Sequence, residues 1–545
     1  MLRLSLRALL LLMAVTADAA VPSSTTLPEL PREYVNTGLQ RPSGRSIHVP
    51  AGGDLQSALN AARLGDTITL QAGATYTGPF VLPRKEGSDW LVIRTNTPDS
   101  KFDRESVQRV GPSQAPLMAR LIAPRGAVLT LAPEAHHYYV VGLELSPAPG
   151  TFLYSLVGPA VEARSDAEQF HHVVLDRCYL HGDPVRGSRR GVVLNGRHVA
   201  VIHSYLSDFK EVGADSQALS GWNGSGPFKI VDNYLEGAGE NLMFGGADPG
   251  IRDLVPSDIE IRGNVFAKHP RWNPKAPQYD GSQWTIKALL ELKNARRVLI
   301  EGNVLEETWD NAFLFTPRNQ GGTAPWSTVA DITVRYNWIR RVYSVLRILG
   351  SDNERPSQAT GPILLEDNVA ESLYDAGPPN PKMIVLLGSP DHVTIRHNTI
   401  LTTPGQGSSF LVLAGGRANP GSVFTFRDNI IDVGTYGVLG EAPPLGRTGA
   451  TFLDGHFQTW TFTGNVLVGS DRVAKNTYPS GQAWAPSLDA IGFVGLRDGN
   501  LKLGSTSPYL AATSDGKAPG ADFDSLAKTL TRYMSVGNPT SGQSR

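Results

Sequence analysis

The stretch "ALLELK" (288–293) sets Glu291 and Lys293 between leucines. In an extended strand, side chains alternate between the two faces. If Leu290 and Leu292 point inward, Glu291 and Lys293 point outward. The same reading of "SVLRIL" (344–349) turns Leu346 and Ile348 inward and Arg347 outward. Between these two segments "AFLFTPR" ends at Arg318, while Glu240, Asp248 and Lys287 stand beside neighbouring short apolar runs. Cations next to carboxylates suit an acidic polysaccharide. A uronic acid carboxylate held by a cation makes the sugar's C5 proton easier to remove. A lysine among other cations sheds its own proton more readily and can serve as the base. The chemistry expected is β-elimination, with Lys293 as base and Arg318 and Arg347 neutralising the carboxylate. Glu240 or Glu291 is the orienting acid. Hydrolysis is the alternative and needs two carboxylates across the scissile bond, which Glu240, Asp248, Glu291 and Asp310 are able to supply. A third reading is a solvated salt-bridge face on a non-catalytic carbohydrate-binding or structural protein.

These residues act together only if one architecture stacks their segments. A repeat provides it. Eight segments share the shape apolar-x-x-Asn-x-apolar: "IVDNYL" (Asn233), "IRGNVF" (Asn264), "IEGNVL" (Asn303), "VRYNWI" (Asn337), "LEDNVA" (Asn368), "IRHNTI" (Asn398), "FRDNII" (Asn429) and "FTGNVL" (Asn465). Two earlier segments keep the shape with Cys178 and Ser204 in place of the asparagine. Each repeat has strand-length apolar pieces on both sides of the asparagine and a third before the next repeat. None shows helical periodicity. Three short strands per repeat describe one coil of a parallel β-helix, in which stacked coils bury a continuous core. At the bend, the asparagine side chain is expected to bond unpaired backbone, to tolerate left-handed dihedrals and to bond its counterparts in adjacent coils. Cys178 is then a small buried hydrophobe at an inward site. "NLMFG" (241–245), "ALLELK", "AFLFT" and "SVLRIL" become third strands of successive coils. That sets Glu291 and Arg347 two strands apart, roughly 9–10 Å.

Loop length marks where such a column is modified. The Asn264–Asn303 repeat is the longest, and its excess is "AKHPRWNPKAPQYDGSQWTIK" (267–287); residues 247–256 and 317–330 are the other long loops nearby. Long loops on consecutive coils wall a groove. Trp272, Tyr279, Trp284 and Trp326 are expected to offer flat faces to sugar rings, with Lys287, Asp248 and Asp310 at the edges. His136-His137 and His171-His172 precede strands and are expected to alternate in and out, one of each pair exposed, without a metal role.

The ends of the repeat array carry a resemblance. In "GGDLQSALNAARLGDTITLQAGATYTGPFVL" (52–82), Leu55, Ala58, Leu59 and Ala62 share one helix face, and a strand and a turn follow. This resembles the N-terminal cap of secreted right-handed parallel β-helix proteins of the pectate-lyase-like superfamily. "GNLKLGSTSPYLAATSDGKAPGADFDSL" (499–526) resembles their closing segment. The resemblance spans residues 46–526 and implies an all-β fold of ten or more coils. Right-handedness follows from it and from the general hand of parallel crossovers. A narrower likeness is to the chondroitinase B and alginate-lyase family, in which a lysine on this sheet is the base and an arginine sits in the following coil. Lys293 in "ELKNA" is the matching position. The acidic calcium ligands a few places before that lysine are replaced here by Ile286 and Ala288, so no calcium site and no cofactor are expected. The Asn-Thr-Asp and Asp-Asp motifs of polygalacturonases are absent.

The remaining sequence sets boundaries. Arg3 and Arg7, the apolar stretch 8–15 and Ala17-Asp18-Ala19 read as a secretory signal peptide over 1–20, implying a secreted or periplasmic protein. Residues 21–46 read as a linker or arm, 47–470 as the β-helix with its N-terminal cap, and 471–545 as a C-terminal capping segment and tail. One cysteine permits no internal disulfide. A net charge of -1 gives no basic excess for nucleic acid, and no later run is long and apolar enough to span a membrane. The expected partner is a polysaccharide.

Overall fold

The computed structural model describes residues 26–39, 42–102, 109–373, 381–402, 408–416, 418–440, 449 and 453–533. The signal-peptide segment 1–20 and the tail beyond residue 533 lie outside the described residues.

Apolar residues at every second position of short, glycine-bounded runs bury one face of each strand. The strands pile up as the repeat requires. First strands form a 14-stranded parallel sheet from Ser46–Val49 to Phe457–Thr463. Second and third strands together form a 24-stranded sheet. They merge because Val304–Phe315 and Trp338–Leu349 each run unbroken through the corner that separates them in other coils. The inward column Leu242, Leu290, Phe313, Leu346, Ile384 and Leu411 is in register strand by strand and fully buried. The chain is a right-handed parallel β-helix.

The asparagines hold the corner after the first strands. Asn264 accepts at Oδ1 from the backbone N and the Nδ2 of Asn233, at 2.9 and 3.0 Å. The pattern repeats through Asn303, Asn337, Asn368, Asn398, Asn429 and Asn465. Each Nδ2 also donates to a first-strand carbonyl of the preceding coil, as Asn303 does to Ile261 at 3.0 Å. The ladder ends where its chemistry changes. Ser204 replaces asparagine at one end and receives the Cys178 backbone N–H on Oγ, while Gln482 Oε1 takes the last two donors from Asn465. The Cys178 thiol is wholly buried, and burial pushes its pKa up to about 12, which leaves no accessible nucleophile. One expectation is corrected. The left-handed residue of the corner is not the asparagine but the one before it, Asp232 at φ +55° and Tyr336 at +54° for example. That residue turns the chain, and the asparagine amide then satisfies the backbone groups the turn exposes.

The helix Leu55–Ala61 covers the first coil with Leu55 and Leu59, its first turn capped by the Asp54 side chain. At the far end Tyr478 packs on Phe462. The helix Phe523–Tyr533 does not sit over the end of the column. Leu526 and Leu530 belong to an apolar cluster with Trp338, Val369 and Ile430, on the outer face of the second strands. Residues 26–39 lie as an arm against the first sheet. Val35 fills an outward apolar patch of Val92, Tyr139, Val174 and Ile202, and the Arg32 N–H donates to Asp258.

Replacing Asn303 with alanine removes two acceptor contacts and two donor contacts inside a dry corner. Urea unfolding of Asn303→Ala is expected to show a loss of about 2–4 kcal/mol. An unchanged midpoint would mean that the ladder is ornamental.

Candidate functional site

The third strands present one outward row in register: Ser220, Met243, Glu291, Leu314, Arg347 and Val385. Glu291 and Arg347 therefore share a face, with Leu314 between them. Lys293 follows the end of its strand, and its ammonium lies 3.4 Å from Glu291 Oε2, which places it on that face as well. Glu240 begins the preceding third strand, opposite Gln217, whose amide donates to Glu240 Oε2 at 2.7 Å.

Glu240 and Glu291 both approach the Lys287 ammonium and act on each other electrostatically, although Glu240 is 0% and Glu291 2% exposed. Two carboxyls in contact in a dry place do not both ionise. Burial and the neighbouring Glu240 charge push the Glu291 pKa up, and nearby ammonium groups, Lys287 foremost, hold that of Glu240 down. Lys287 is the hub of the cluster rather than an edge residue. Its ammonium is 2.8 Å from Asp215, 3.0 Å from Glu240 and 3.7 Å from Glu291, and these charges raise its pKa well above the usual lysine range. Thr316 donates to the other Glu291 oxygen at 3.0 Å.

Below this cluster lies a residue that carries no signal in the sequence. Lys268 is almost wholly buried, and its ammonium donates to the Gly237, Gly239 and Ala288 carbonyls and to Asn241 Oδ1. Those carbonyls belong to the turn that leads into Glu240 and to the start of "ALLELK". The lysine satisfies backbone that no strand pairs, and burial pushes its pKa down to about 7. A lysine just past a strand reads as surface, so Lys268 was illegible. Gln217 was legible in principle, because aligning "SQALS" with the next third strand sets it beside Glu240. Tyr343 was also passed over. It is half-buried on the strand of Arg347 and interacts electrostatically with Arg347 and Asp310.

Other expected site residues fall elsewhere. Arg318 braces the next coil's loop, with Nη1 2.7 Å from Asp352 and 2.6 Å from Asn353. It faces these acceptors and not an open groove. Trp272 is 2% exposed and offers no face to a sugar. It and Trp284 pack over the Lys210 ammonium, at 5.8 and 5.2 Å. Trp284 remains half-buried at a pocket of about 360 Å³ with His269, Arg271 and Asp280. Tyr279 is half-buried in the same loop. Trp326 and Asp248 lie on the opposite edge of the third strands. Trp326 donates to the Leu254 carbonyl and lines a separate cavity of about 790 Å³ with Arg296, Arg297 and Asp258. Asp248 accepts from Thr323 N and Oγ1 and ties two loops together. Asp310 accepts from the Asn311 N–H at 2.6 Å, in the strand that turns the corner beside the cluster.

The histidines do not alternate. His137 and His172 adopt φ of +57° and +53°, so each brings its ring to the side of its predecessor. The Nδ1 atoms of His136 and His137 are 2.8 Å apart, those of His171 and His172 2.7 Å. Burial pushes the His171 pKa down to about 4 and that of His172 to about 3.

No protein-family model matches the chain, and no curated protein matches it. Solved structures do. The catalytic unit of a thermostable family 87 α-1,3-glucanase from Streptomyces thermodiastaticus is 13% identical over 82% of this chain and 72% of its own, with a TM-score of 0.50. An alginate lyase from a Paenibacillus species is 16% identical over 68% of this chain and 98% of its own, with a TM-score of 0.31. A mannuronic-acid-specific family 6 lyase from human gut microbiota is 11% identical over 90% and 99%, with a TM-score of 0.39. At these identities the likeness is one of fold. Among the described residues no helix is long and apolar enough to cross a membrane.

The raised Glu291 pKa has a measurable sign. The folded protein binds the Glu291 proton more tightly than an unfolded glutamate does, so its stabilising effect is present at acidic pH and lost as pH rises toward and through neutrality. In Glu291→Gln the amide does not titrate. Unfolding free energies measured from pH ~5 to ~8 are expected to fall less in the variant, by at least about 1 kcal/mol. Parallel curves would show that Glu291 does not titrate above the usual carboxyl range in the folded protein.

Proposed function

We propose that the protein is a polysaccharide lyase that cleaves a uronic-acid-containing polymer by β-elimination on the third-strand face around Glu291. One observation carries this reading. A lysine anchored by a buried carboxyl pair shares its face with an arginine two strands away, and both side chains are long enough to reach one bound sugar. Arg347 pairs with the uronate carboxylate. Lys293 Nζ takes the C5 proton. The electron pair forms the C4–C5 double bond as the bond from C4 to the bridging oxygen breaks. The Tyr343 hydroxyl gives that oxygen its proton. Glu291, with Glu240, Lys287 and Thr316 behind it, positions Lys293, and Trp284 borders the approach. Arg318 serves as a brace in this scheme.

Elimination is favoured over hydrolysis by the contact between Glu240 and Glu291. Glycosidases hold their two carboxyls ~5–9.5 Å apart, with a sugar or a water between them. Glu240 and Glu291 are both buried and both approach the Lys287 ammonium, at 3.0 and 3.7 Å, which fills the space such a sugar or water would need.

Incubation with polymannuronate, polyguluronate, polygalacturonate and a glycosaminoglycan, followed by ultraviolet absorbance of the unsaturated uronate, tests the proposal. One polymer is expected to give a steady rise. Lys293→Ala and Arg347→Ala are each expected to lower kcat by about 10²–10⁴-fold, with unfolding midpoints close to the parent's. New reducing ends without absorbance would mean hydrolysis, and binding without either product a lectin-like role. Full activity in both variants would move the site elsewhere.

A further inference from the structure

We propose that the stacked histidines at the start of the first strands bind a divalent transition metal, Cu(II) or Ni(II) ahead of Zn(II), through His137, His171 and His172. This site lies on the first sheet, not on the third-strand face, and does not depend on the lyase reading.

The arrangement arises from backbone geometry. His136 and His171 are in register on adjacent first strands. The left-handed residue after each brings a second ring to the same outer side, and His198 repeats the turn one coil further on, at φ +51°. The rings form two columns. His136 lies on His171 with centroids 4.8 Å apart and planes 2° apart, and His137 on His172 at 4.6 Å and 4°. One ring nitrogen from each of His137, His171 and His172 lies within 4.8 Å of the other two. All three side chains are half-buried, so the cluster stays open to solvent on one side.

Imidazole nitrogen suits copper, nickel and zinc, and affinity peaks at copper. The His171 and His172 Nδ1 atoms hydrogen-bond each other at 2.7 Å, so an ion held by both takes the place of the hydrogen between them, which moves to Nε2. His137 would come from the adjacent coil, so the ion would join two coils. The surroundings oppose and assist a cation. Arg197 faces His171 and repels it, whereas Asp89 near His137 and Glu33 of the arm, 3.6 Å from His198, attract it.

Untagged protein dialysed against chelator and then titrated with CuCl2, NiCl2 or ZnCl2 in a calorimeter tests the site. About one equivalent of copper is expected to bind, more tightly than zinc, and the electron paramagnetic resonance spectrum should show coupling to at least two imidazole nitrogens. His137→Asn and His172→Asn should each weaken copper binding about tenfold or more, while His48→Asn, outside the ladder, leaves it unchanged. No stoichiometric binding, tighter zinc than copper, or equal affinity in the parent and both ladder variants overturns the proposal and leaves the rings as a stacking device. If either variant loses its β-sheet circular dichroism, the spectrum of the parent protein decides: copper without nitrogen coupling refutes the site.

Discussion

Every placement in this molecule depends on register. A parallel strand that slips by one residue exchanges its inward and outward faces. The asparagine ladder prevents that slip. Each amide receives two donors from the preceding coil's asparagine and gives its own hydrogens to that coil's first strand and to the next asparagine. Moving one coil by one residue would break all of these bonds inside a dry corner. With the corner fixed, the third strands that follow are fixed too, and the outward row containing Glu291 and Arg347 is a consequence.

The cluster on that row is an electrostatic arrangement held at some cost. Burying carboxylates and ammonium groups is unfavourable unless each finds partners. The solution here is dense: one ammonium among three carboxylates, and a second lysine beneath them bonded to backbone oxygens. Lys268 and Lys287 do opposite work. Lys268 is surrounded by neutral carbonyls and burial makes its charge less favourable, while Lys287 is surrounded by charges that make its own charge more favourable. The result is a closely bonded cluster beneath Lys293, the side chain proposed as the base, and a firmly held neighbour is what positioning requires.

The outside of the column carries segments that the repeat does not supply. The N-terminal arm covers apolar side chains of the first sheet, and the C-terminal helix covers those of the second strands. Both cover an outward apolar stripe of a stack whose opposite face is already the core. The left-handed positions that begin several first strands supply the polar contacts for the arm: His198 meets Glu33, Asp258 meets Arg32 and Asp331 meets the Glu29 N–H.

The sequence by itself determined the coil. Apolar alternation, the recurring asparagine and short glycine-bounded apolar runs are local signals, and each repeat states them again, so the column and the outward direction of Glu291, Lys293 and Arg347 were legible. The site's membership was not. Trp272 and Trp284 sit close together in sequence, yet one is buried and the other half-open, because the path of a proline-rich loop over Lys210 is set by contacts with a different coil. Asp248 and Trp326 read as groove residues, but a side chain's distance from the strand corner decides which edge it occupies, and loop composition does not encode that distance. Only the stacked structure brings Glu240 from one coil against Glu291 of the next and closes Lys287 between them. Whether two carboxyls meet one ammonium or stand apart depends on separations of a few ångströms across coils, and these exist only once the chain has wound on itself.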